Sequence, residues 1–128
     1  MRGAERIIGC GVALSGVLMV ILGAYAAHGL AERASAAMVS AMETGVRYQA
    51  WHTLAIFGVL IAQRVFNLPG WRWVVALWGL GMMGFSGSLY LMALVGLSVG
   101  VVTPIGGLLL MVGWLALAVS VVRAPARD

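Results

Sequence analysis

The stretch WVVALWGLGMMGFSGSLYLMALVGLSVGVVTPIGGLLLMVGWLALAVSVV runs from Trp73 to Val122 without a charged side chain. Two further uncharged stretches run from Ile7 to Ala31 and from Tyr48 to Gln63. A membrane-spanning helix needs about 20 predominantly apolar residues. The stretch from Trp73 to Val122 is therefore long enough for two spans, with a break near residues 96–103. Together with the other two stretches it predicts four spans.

The composition of the 128 residues supports this interpretation. Apolar residues make up 62% of the chain and charged residues 9%, against roughly 45–50% and about 25% in soluble domains. The positive side chains stand singly between apolar runs, which is typical of membrane-edge anchors rather than of a nucleic-acid interface. The sequence therefore indicates an integral membrane protein. It excludes a soluble enzyme, a disordered tail and a nucleic-acid partner.

We predict an all-α fold, an integral membrane four-helix bundle formed by one domain over residues 1–128. Its spans cover about residues 7–30, 48–64, 72–96 and 104–122. An amphipathic helical segment over residues 35–47 leads into the second span, because apolar side chains recur there at helical spacing. On its polar face Glu43 and Arg47 stand four residues apart, which predicts an ion pair. Thr103 is the predicted N-cap of the last helix, with Pro104 at its first position.

The arginines predict the orientation of the spans. One end of the bundle receives Arg2, Arg6, Arg64, Arg72, Arg123 and Arg127, and the other end receives Arg33 and Arg47. Positive residues accumulate on the cytoplasmic side, so we expect both termini in the cytoplasm and the protein in the bacterial inner membrane. The first span also resembles a secretory signal peptide ending at Ala24-Tyr25-Ala26. Its apolar run exceeds the usual length of about 7–15 residues, which favours an uncleaved span.

Most polar side chains inside the spans fall in the half of the bundle away from the termini, at a helical rise of about 1.5 Å per residue. We expect His28 to reach Glu43 directly or through a water molecule, with the carboxylate favouring the charged imidazole. We expect His52 to face the bundle interior and pair with Ser86. The candidate binding residues are His28, Glu43, Tyr48, His52, Ser86 and Tyr90.

Cofactor and metal sites are not predicted. The two histidines differ in depth by about 13 Å, too far to ligate one iron from opposite faces. The single cysteine allows no intrachain disulfide and no cysteine-based metal motif. Gly81, Gly84 and Gly87 are predicted packing notches rather than a phosphate-binding loop, since no strand precedes them.

Four runs carry a resemblance to a known family. They are GAYAAHGL (23–30), ETGVRYQAWH (43–52), FSGSLY (85–90) and TPIGG (103–107), the last leading to Gly113-Trp114. Together they resemble the domain-of-unknown-function 423 family, small bacterial inner-membrane proteins related to transmembrane protein 256 of animals. Relatives often have GAFGAH where this chain has Tyr25 and Ala26, so an added methyl group stands where the family places glycine. The resemblance implies four membrane helices and supplies no reaction, substrate or cofactor.

The functional hypothesis is a non-enzymatic protein that binds a lipid, a quinone-like molecule or a larger membrane partner, including another copy of itself. No nucleophile–base or carboxylate pair can be assembled from the sequence, so no catalytic residue is predicted. The alternative is an oligomeric transporter or channel for a small solute. Proton-coupled carriers need an ionisable group near mid-membrane, and no Asp or Glu lies inside a predicted span.

Overall fold

The computed structural model describes residues 2–126 and consists of four α-helices. They are α1 (Gly3–Tyr25), α2 (Ala36–Phe66), α3 (Trp71–Val95) and α4 (Val102–Val122). A π-helical turn, Ala26–Leu30, continues α1. No strand occurs in the described residues. The predicted all-α bundle of four helices is therefore confirmed.

Helix α2 is a single helix that contains both the amphipathic segment and the second predicted span. Its 31 residues give a length of about 46 Å. The side chain of Ser35 caps it by accepting a hydrogen bond from the Met38 amide at 3.3 Å. Glu43 and Arg47 are exposed as predicted, but residues 2–126 contain no ion pair between them. That part of the prediction is wrong, since water solvates exposed charges well and leaves little to gain from pairing.

Three helical segments are long and apolar enough to cross a membrane. They are Gly3–Leu30, Trp71–Val95 and Val102–Val122, with mean hydropathies of 2.4, 1.5 and 2.4. Helix α2 is more polar, but its side chains Gln49, His52 and Thr53 are buried against neighbouring helices. Such burial is what a membrane-spanning helix with polar residues requires. The assignment of α2 as a fourth span stays a prediction.

The bundle is an open row of helices. Within residues 2–126, backbones approach closely only between consecutive helices, so that α2 and α3 lie in the middle and α1 and α4 flank them. Two buried clusters hold the row together. One contains Ile56, Val59, Val74, Trp78 and Leu110, and the other contains Ala26, Leu30, Met42 and Ala93. This arrangement leaves an apolar groove on each side of the row.

Glycines bring α3 and α4 together. A Cβ atom at Gly106 would lie 2.3 Å from the backbone nitrogen of Phe85, and one at Gly84 would lie 3.2 Å from the Cα of Gly106. The predicted packing role is thus confirmed for Gly84, and also for Gly81, where a Cβ would meet the backbone nitrogen of Leu110 at 3.0 Å. Gly87 is different, because nothing lies within 4 Å of an added Cβ. Its predicted packing role is wrong.

The start of α4 differs from the prediction. The helix begins at Val102 with Val101 as N-cap, so Thr103 lies inside the first turn. Its hydroxyl instead shares a hydrogen bond of 2.6 Å with the hydroxyl of Ser88 on α3. A partner across the helix interface has replaced the expected capping bond. Pro104 remains in the first turn, where its missing N–H leaves no hydrogen bond unmade.

Candidate functional site

The six predicted site residues do not form one cluster. His28 and Glu43 are exposed, and within residues 2–126 no hydrogen bond or ion pair joins them. The two side chains therefore make no direct contact, and a contact through water stays a prediction. Tyr48 and His52 face the groove between α2 and α4. Ser86 and Tyr90 face the groove between α1 and α3, so the row of helices separates the two pairs.

His52 is buried, with 3% of its surface exposed, as its depth predicted. Its Nε2 lies 3.0 Å from the indole Nε1 of Trp114, and its Nδ1 lies 2.7 Å from the carbonyl oxygen of Tyr48. An indole N–H only donates, so Nε2 accepts and Nδ1 carries the proton that is donated to the carbonyl. His52 is thus a neutral imidazole with both nitrogens bonded.

The predicted pairing of His52 with Ser86 is wrong. The hydroxyl of Ser86 donates to the carbonyl oxygen of Gly45 at 2.7 Å. Equal depth did not bring the two side chains together, because they leave their helices towards opposite grooves. The partner that the sequence analysis missed is Trp114, which lies on α4. Tyr48 does lie beside His52 as predicted, with ring centroids 6.2 Å apart.

Three buried polar side chains, those of Gln49, Thr53 and Ser86, line the groove between α1 and α3, called here the α1/α3 groove. Its volume is about 520 Å³, and α2 forms its floor. The walls are Ile8, Gly11, Val12, Leu18 and Leu22 of α1 and Val75, Gly79, Met82, Met83 and Gly87 of α3. Pockets for small molecules typically measure about 300–1,000 Å³, so this groove has the size of a ligand site.

Four residues in this groove form a hydrogen-bonded network, called here the polar floor: Ser15, Gln49, Thr53 and Tyr90. The Tyr90 hydroxyl donates to Gln49 Oε1 at 2.6 Å. The Gln49 amide nitrogen donates to the Ser15 hydroxyl at 3.0 Å and to the Ser15 carbonyl at 3.2 Å. The hydroxyls of Ser15 and Thr53 are 2.7 Å apart. The network therefore connects α1, α2 and α3, near the middle of α1 and α2 and in the C-terminal part of α3.

The proton of Thr53 ends this network on a weak acceptor. Its hydroxyl donates to the Met82 sulfur at 3.8 Å. Each hydroxyl has a single proton, so when Thr53 donates to Met82 it accepts the hydrogen bond of Ser15. Every buried polar side-chain atom in the described part of the chain has a partner. The thioether of Met82, which adjoins the polar floor, is a poorer acceptor than the oxygen atoms within it.

Of the residues in the polar floor, Tyr90 was predicted as a site residue from the sequence, whereas Ser15, Gln49 and Thr53 were not. Gln49 and Thr53 stand four residues apart and therefore share a face of α2. That spacing was the available signal in the sequence, and it pointed to an inward polar face. Ser15 could not be recognised in the same way, since a lone serine in an apolar helix usually bonds a carbonyl of its own or a neighbouring helix.

The groove between α2 and α4, called here the α2/α4 groove, has a volume of about 680 Å³. Its lining residues include Trp51, Leu54, Met111 and Trp114, all exposed. Its one buried polar side chain, His52, already has two partners. The α2/α4 groove therefore has an apolar surface, and it offers a ligand fewer polar side chains than the α1/α3 groove does.

A second polar cluster lies where α1 begins and α2 ends. The carboxylate of Glu5, 5% exposed, accepts hydrogen bonds from the side chains of Gln63 and Arg64. It also accepts one from the Arg2 amide at 2.9 Å. Among residues 2–126 this is the one ion pair, and it fastens α1 to α2. Those residues contain no group of three His, Cys, Asp or Glu side chains able to hold a metal ion.

Comparisons with known proteins agree on one family. The family described as "Protein of unknown function (DUF423)" matches residues 22–107. A UPF0382 membrane protein of Haemophilus influenzae is 44% identical over 108 residues, which cover 84% of this chain and 86% of that protein. The UPF0382 inner membrane protein YgdD of Escherichia coli K12 is 39% identical over 112 residues, 87% of this chain and 86% of that protein. A UPF0382 membrane protein of Staphylococcus saprophyticus is 38% identical over 109 residues, 84% of this chain and 90% of that protein.

No solved structure matches the chain. The matched region extends from the end of α1 to the first turns of α4, so it includes most of the polar floor and the glycine contacts of α3. The names of the relatives agree with three helices that are apolar enough to cross a membrane. The chain therefore belongs to the DUF423 family, also named UPF0382, of membrane proteins whose function is not assigned.

Proposed function

We propose that this protein is a non-enzymatic inner-membrane protein that binds one neutral, lipid-like molecule in the α1/α3 groove. The observation that carries the proposal is a groove of about 520 Å³ with apolar walls and a polar floor. Binding sites for small molecules combine these two features, because apolar walls supply affinity and a few polar groups fix orientation.

Glycines keep the groove open. Gly11, Gly79 and Gly87 line it, and nothing lies within 4 Å of a Cβ added to any of them. In α3 the two open positions, Gly79 and Gly87, flank Gly81 and Gly84, which contact α4 closely. A helix interface enriched in small residues normally uses them for close packing. Glycines that face open space instead leave room for another molecule.

The charge of the lining favours a neutral ligand. Among the described residues that line the α1/α3 groove, none carries a charge. An ionised headgroup placed there would lack a counter-charge in a medium of low dielectric constant, which is strongly unfavourable. A molecule with a long apolar part and an uncharged polar group fits both the walls and the polar floor.

The arrangement supports binding rather than catalysis. The two aliphatic hydroxyls of the polar floor, those of Ser15 and Thr53, contact an amide nitrogen, each other and a thioether. None of these groups is a base that could activate a hydroxyl as a nucleophile. The imidazole of His52 faces the other groove and has both nitrogens bonded.

We propose the cytoplasmic side for both termini on the arginine distribution alone.

The test is mass spectrometry of the protein gently purified from its own membranes. A neutral lipid should remain bound to the wild type and be lost from Gly11→Leu and Gly87→Leu, whose side chains would fill the groove. Gly9→Leu and Gly16→Leu are matched controls, since these glycines also face open space but do not line the groove. Retention of the same lipid by the groove-filling variants would contradict the proposal.

A further inference from the structure

The part of the polar floor formed by Ser15 and Thr53 lies near the middle of the helices, which limits the chemistry of its ligand. From the end of the bundle where α1 and α3 begin and α2 ends, Ser15 is about 18 Å away along its helix, Thr53 about 20 Å and Met82 about 16 Å. The hydrocarbon core of a bilayer is about 30 Å thick, so its midplane is about 15 Å from either boundary. The part of the polar floor where Thr53 meets Met82 is therefore near the midplane, whereas Gln49 and Tyr90, about 26 Å and about 28 Å from the same end, lie nearer the other boundary.

The polar floor offers one proton that a ligand could use. The amide protons of Gln49 and the hydroxyl proton of Tyr90 already bond oxygen acceptors. The hydroxyl proton of Ser86 bonds the carbonyl oxygen of Gly45. The hydroxyls of Ser15 and Thr53 share one hydrogen bond, so one of their two protons is left over. When Ser15 donates, the proton of Thr53 is the one left, and it meets only the Met82 sulfur at 3.8 Å. A carbonyl oxygen entering the groove would replace this thioether with a stronger acceptor, while Ser15 still donates to Thr53.

We propose that the α1/α3 groove binds a quinone-class lipid, with one ring carbonyl accepting the hydrogen bond of Thr53. This inference rests on the proposed lipid-binding function and specifies its ligand. Ester carbonyls of bilayer glycerophospholipids lie next to a charged phosphate and stay near the boundary of the hydrocarbon core. A quinone ring is uncharged and bears its carbonyl groups directly on a hydrophobic body, so it reaches the midplane.

The groove also provides apolar surface suited to such a ring. Met82 and Met83 line it beside Tyr90, and thioethers form favourable contacts with aromatic and similar flat rings. The open positions at Gly79 and Gly87 lie on the same wall. An isoprenoid or alkyl tail would follow the remaining length of the groove towards Ile8 and Val12, which belong to its apolar lining.

The experiment compares three radiolabelled probes that share a ten-carbon chain, by equilibrium binding to the full-length protein in nanodiscs. The probes are decyl-benzoquinone, decylbenzene, which lacks the carbonyl groups, and monodecanoyl glycerol, which carries an ester. The quinone should bind the wild type about five- to tenfold more tightly than decylbenzene, the ratio expected for one hydrogen bond. Gly87→Leu should weaken the binding of all three probes.

The variants locate the hydrogen bond. Thr53→Val should abolish the preference for the quinone, and Thr53→Ser, which keeps the hydroxyl, should retain it. Met82→Leu should strengthen quinone binding severalfold, because the competing acceptor is gone. Thr44→Val is the matched control on the same helix, since its hydroxyl bonds the Ser40 carbonyl outside the groove. Circular dichroism verifies that each variant is folded. If Thr53→Val does not fold, Thr53→Ser and Met82→Leu still test the proposal.

The outcomes separate this inference from the function on which it rests. Equal affinity for the quinone and decylbenzene, with both sensitive to Gly87→Leu, would overturn the quinone assignment and leave lipid binding intact. Tighter, Thr53-dependent binding of the ester would overturn it in favour of an acylglycerol. Binding of none of the probes would overturn both proposals.

Discussion

The indole N–H of Trp114 donates to Nε2 of His52 across 3.0 Å and so joins α4 to α2, two helices whose backbones do not approach each other closely in the described part of the chain. Trp114 is 47% exposed, whereas His52 is 3% exposed. The indole of Trp114 therefore covers the imidazole of His52. The indole ring also packs on Trp78 of α3, with centroids 4.6 Å apart, which makes this contact a link among three helices.

The first prediction concerns this hydrogen bond. Trp114→Phe should lower the free energy of unfolding by about 1–3 kcal/mol, because it leaves the buried Nε2 of His52 without a donor. His52→Gln in the wild-type background should be tolerated better than His52→Leu, since an amide can donate and accept as the imidazole does. Unfolding in mixed micelles measures both. A double-mutant cycle with no coupling between positions 52 and 114 would contradict the bond.

The second prediction concerns the contact of α3 with α4. Gly106→Ala should lower the free energy of unfolding by about 1–3 kcal/mol, because its Cβ would meet the Phe85 backbone at 2.3 Å. Gly107→Ala is the matched control one residue away, where a Cβ would meet only the Phe85 ring at 3.6 Å. The same unfolding assay applies. Equal effects of the two substitutions would show that the helices are farther apart than described.

The third prediction concerns the attachment of α1 to α2. Glu5→Ala removes the acceptor of Gln63 and Arg64, so the first turns of α1 should exchange their amide hydrogens faster. Hydrogen exchange read by mass spectrometry measures this change. Glu43→Ala is the control, because Glu43 is exposed and has no ion-pair partner among residues 2–126. Unchanged exchange at residues 3–9 in Glu5→Ala would argue against the attachment.

The fourth prediction concerns orientation. With Cys10 replaced by alanine, single cysteines placed at Gly3 and Ala126 should react with a membrane-impermeant maleimide only after the inner membrane is opened. A cysteine at Ala34, in the connection between α1 and α2, should react in intact spheroplasts. The reason is the accumulation of arginines at the end that carries both termini. The reverse labelling pattern would invert the topology.

Much of the fold was predictable because bilayer thickness and helical geometry act on local sequence. Ser35 marks the start of α2 as its capping chemistry requires, and the apolar runs place the other helices within a few residues. Which side chains meet across helices was less predictable. Depth along a helix is a local quantity, whereas the direction of a side chain depends on how neighbouring helices are rotated. For this reason the similar estimated depths of His52 and Ser86 led to a wrong pairing.

Prediction of the site had the same limit, because contacts between side chains of different helices could not be predicted. Tyr90 was recognisable as a polar residue in an apolar helix, but its partner Gln49 became evident only from the packing of α2 against α3. The role of Gly87 was mistaken because its spacing from Gly84 equals that of Gly81 from Gly84. Three residues turn a helix by about 300°, so three such glycines drift around the helix instead of sharing one line. Gly81 and Gly84 meet α4, while Gly87 borders the groove.

The order of helices in the row has a consequence for biosynthesis. Each helix packs against the one made just before it, so the pairing partners are close in sequence and the loops to be closed are short. During insertion at the translocon, α2 meets α1, α3 meets α2 and α4 meets α3 in the order of synthesis. The polar face of α2, with Gln49 and Thr53, is sheltered on one side by Ser15 of α1 as soon as the first hairpin exists. The polar floor thus begins to form with the first hairpin, whereas Nε2 of His52 receives its donor, Trp114, only when α4 is made.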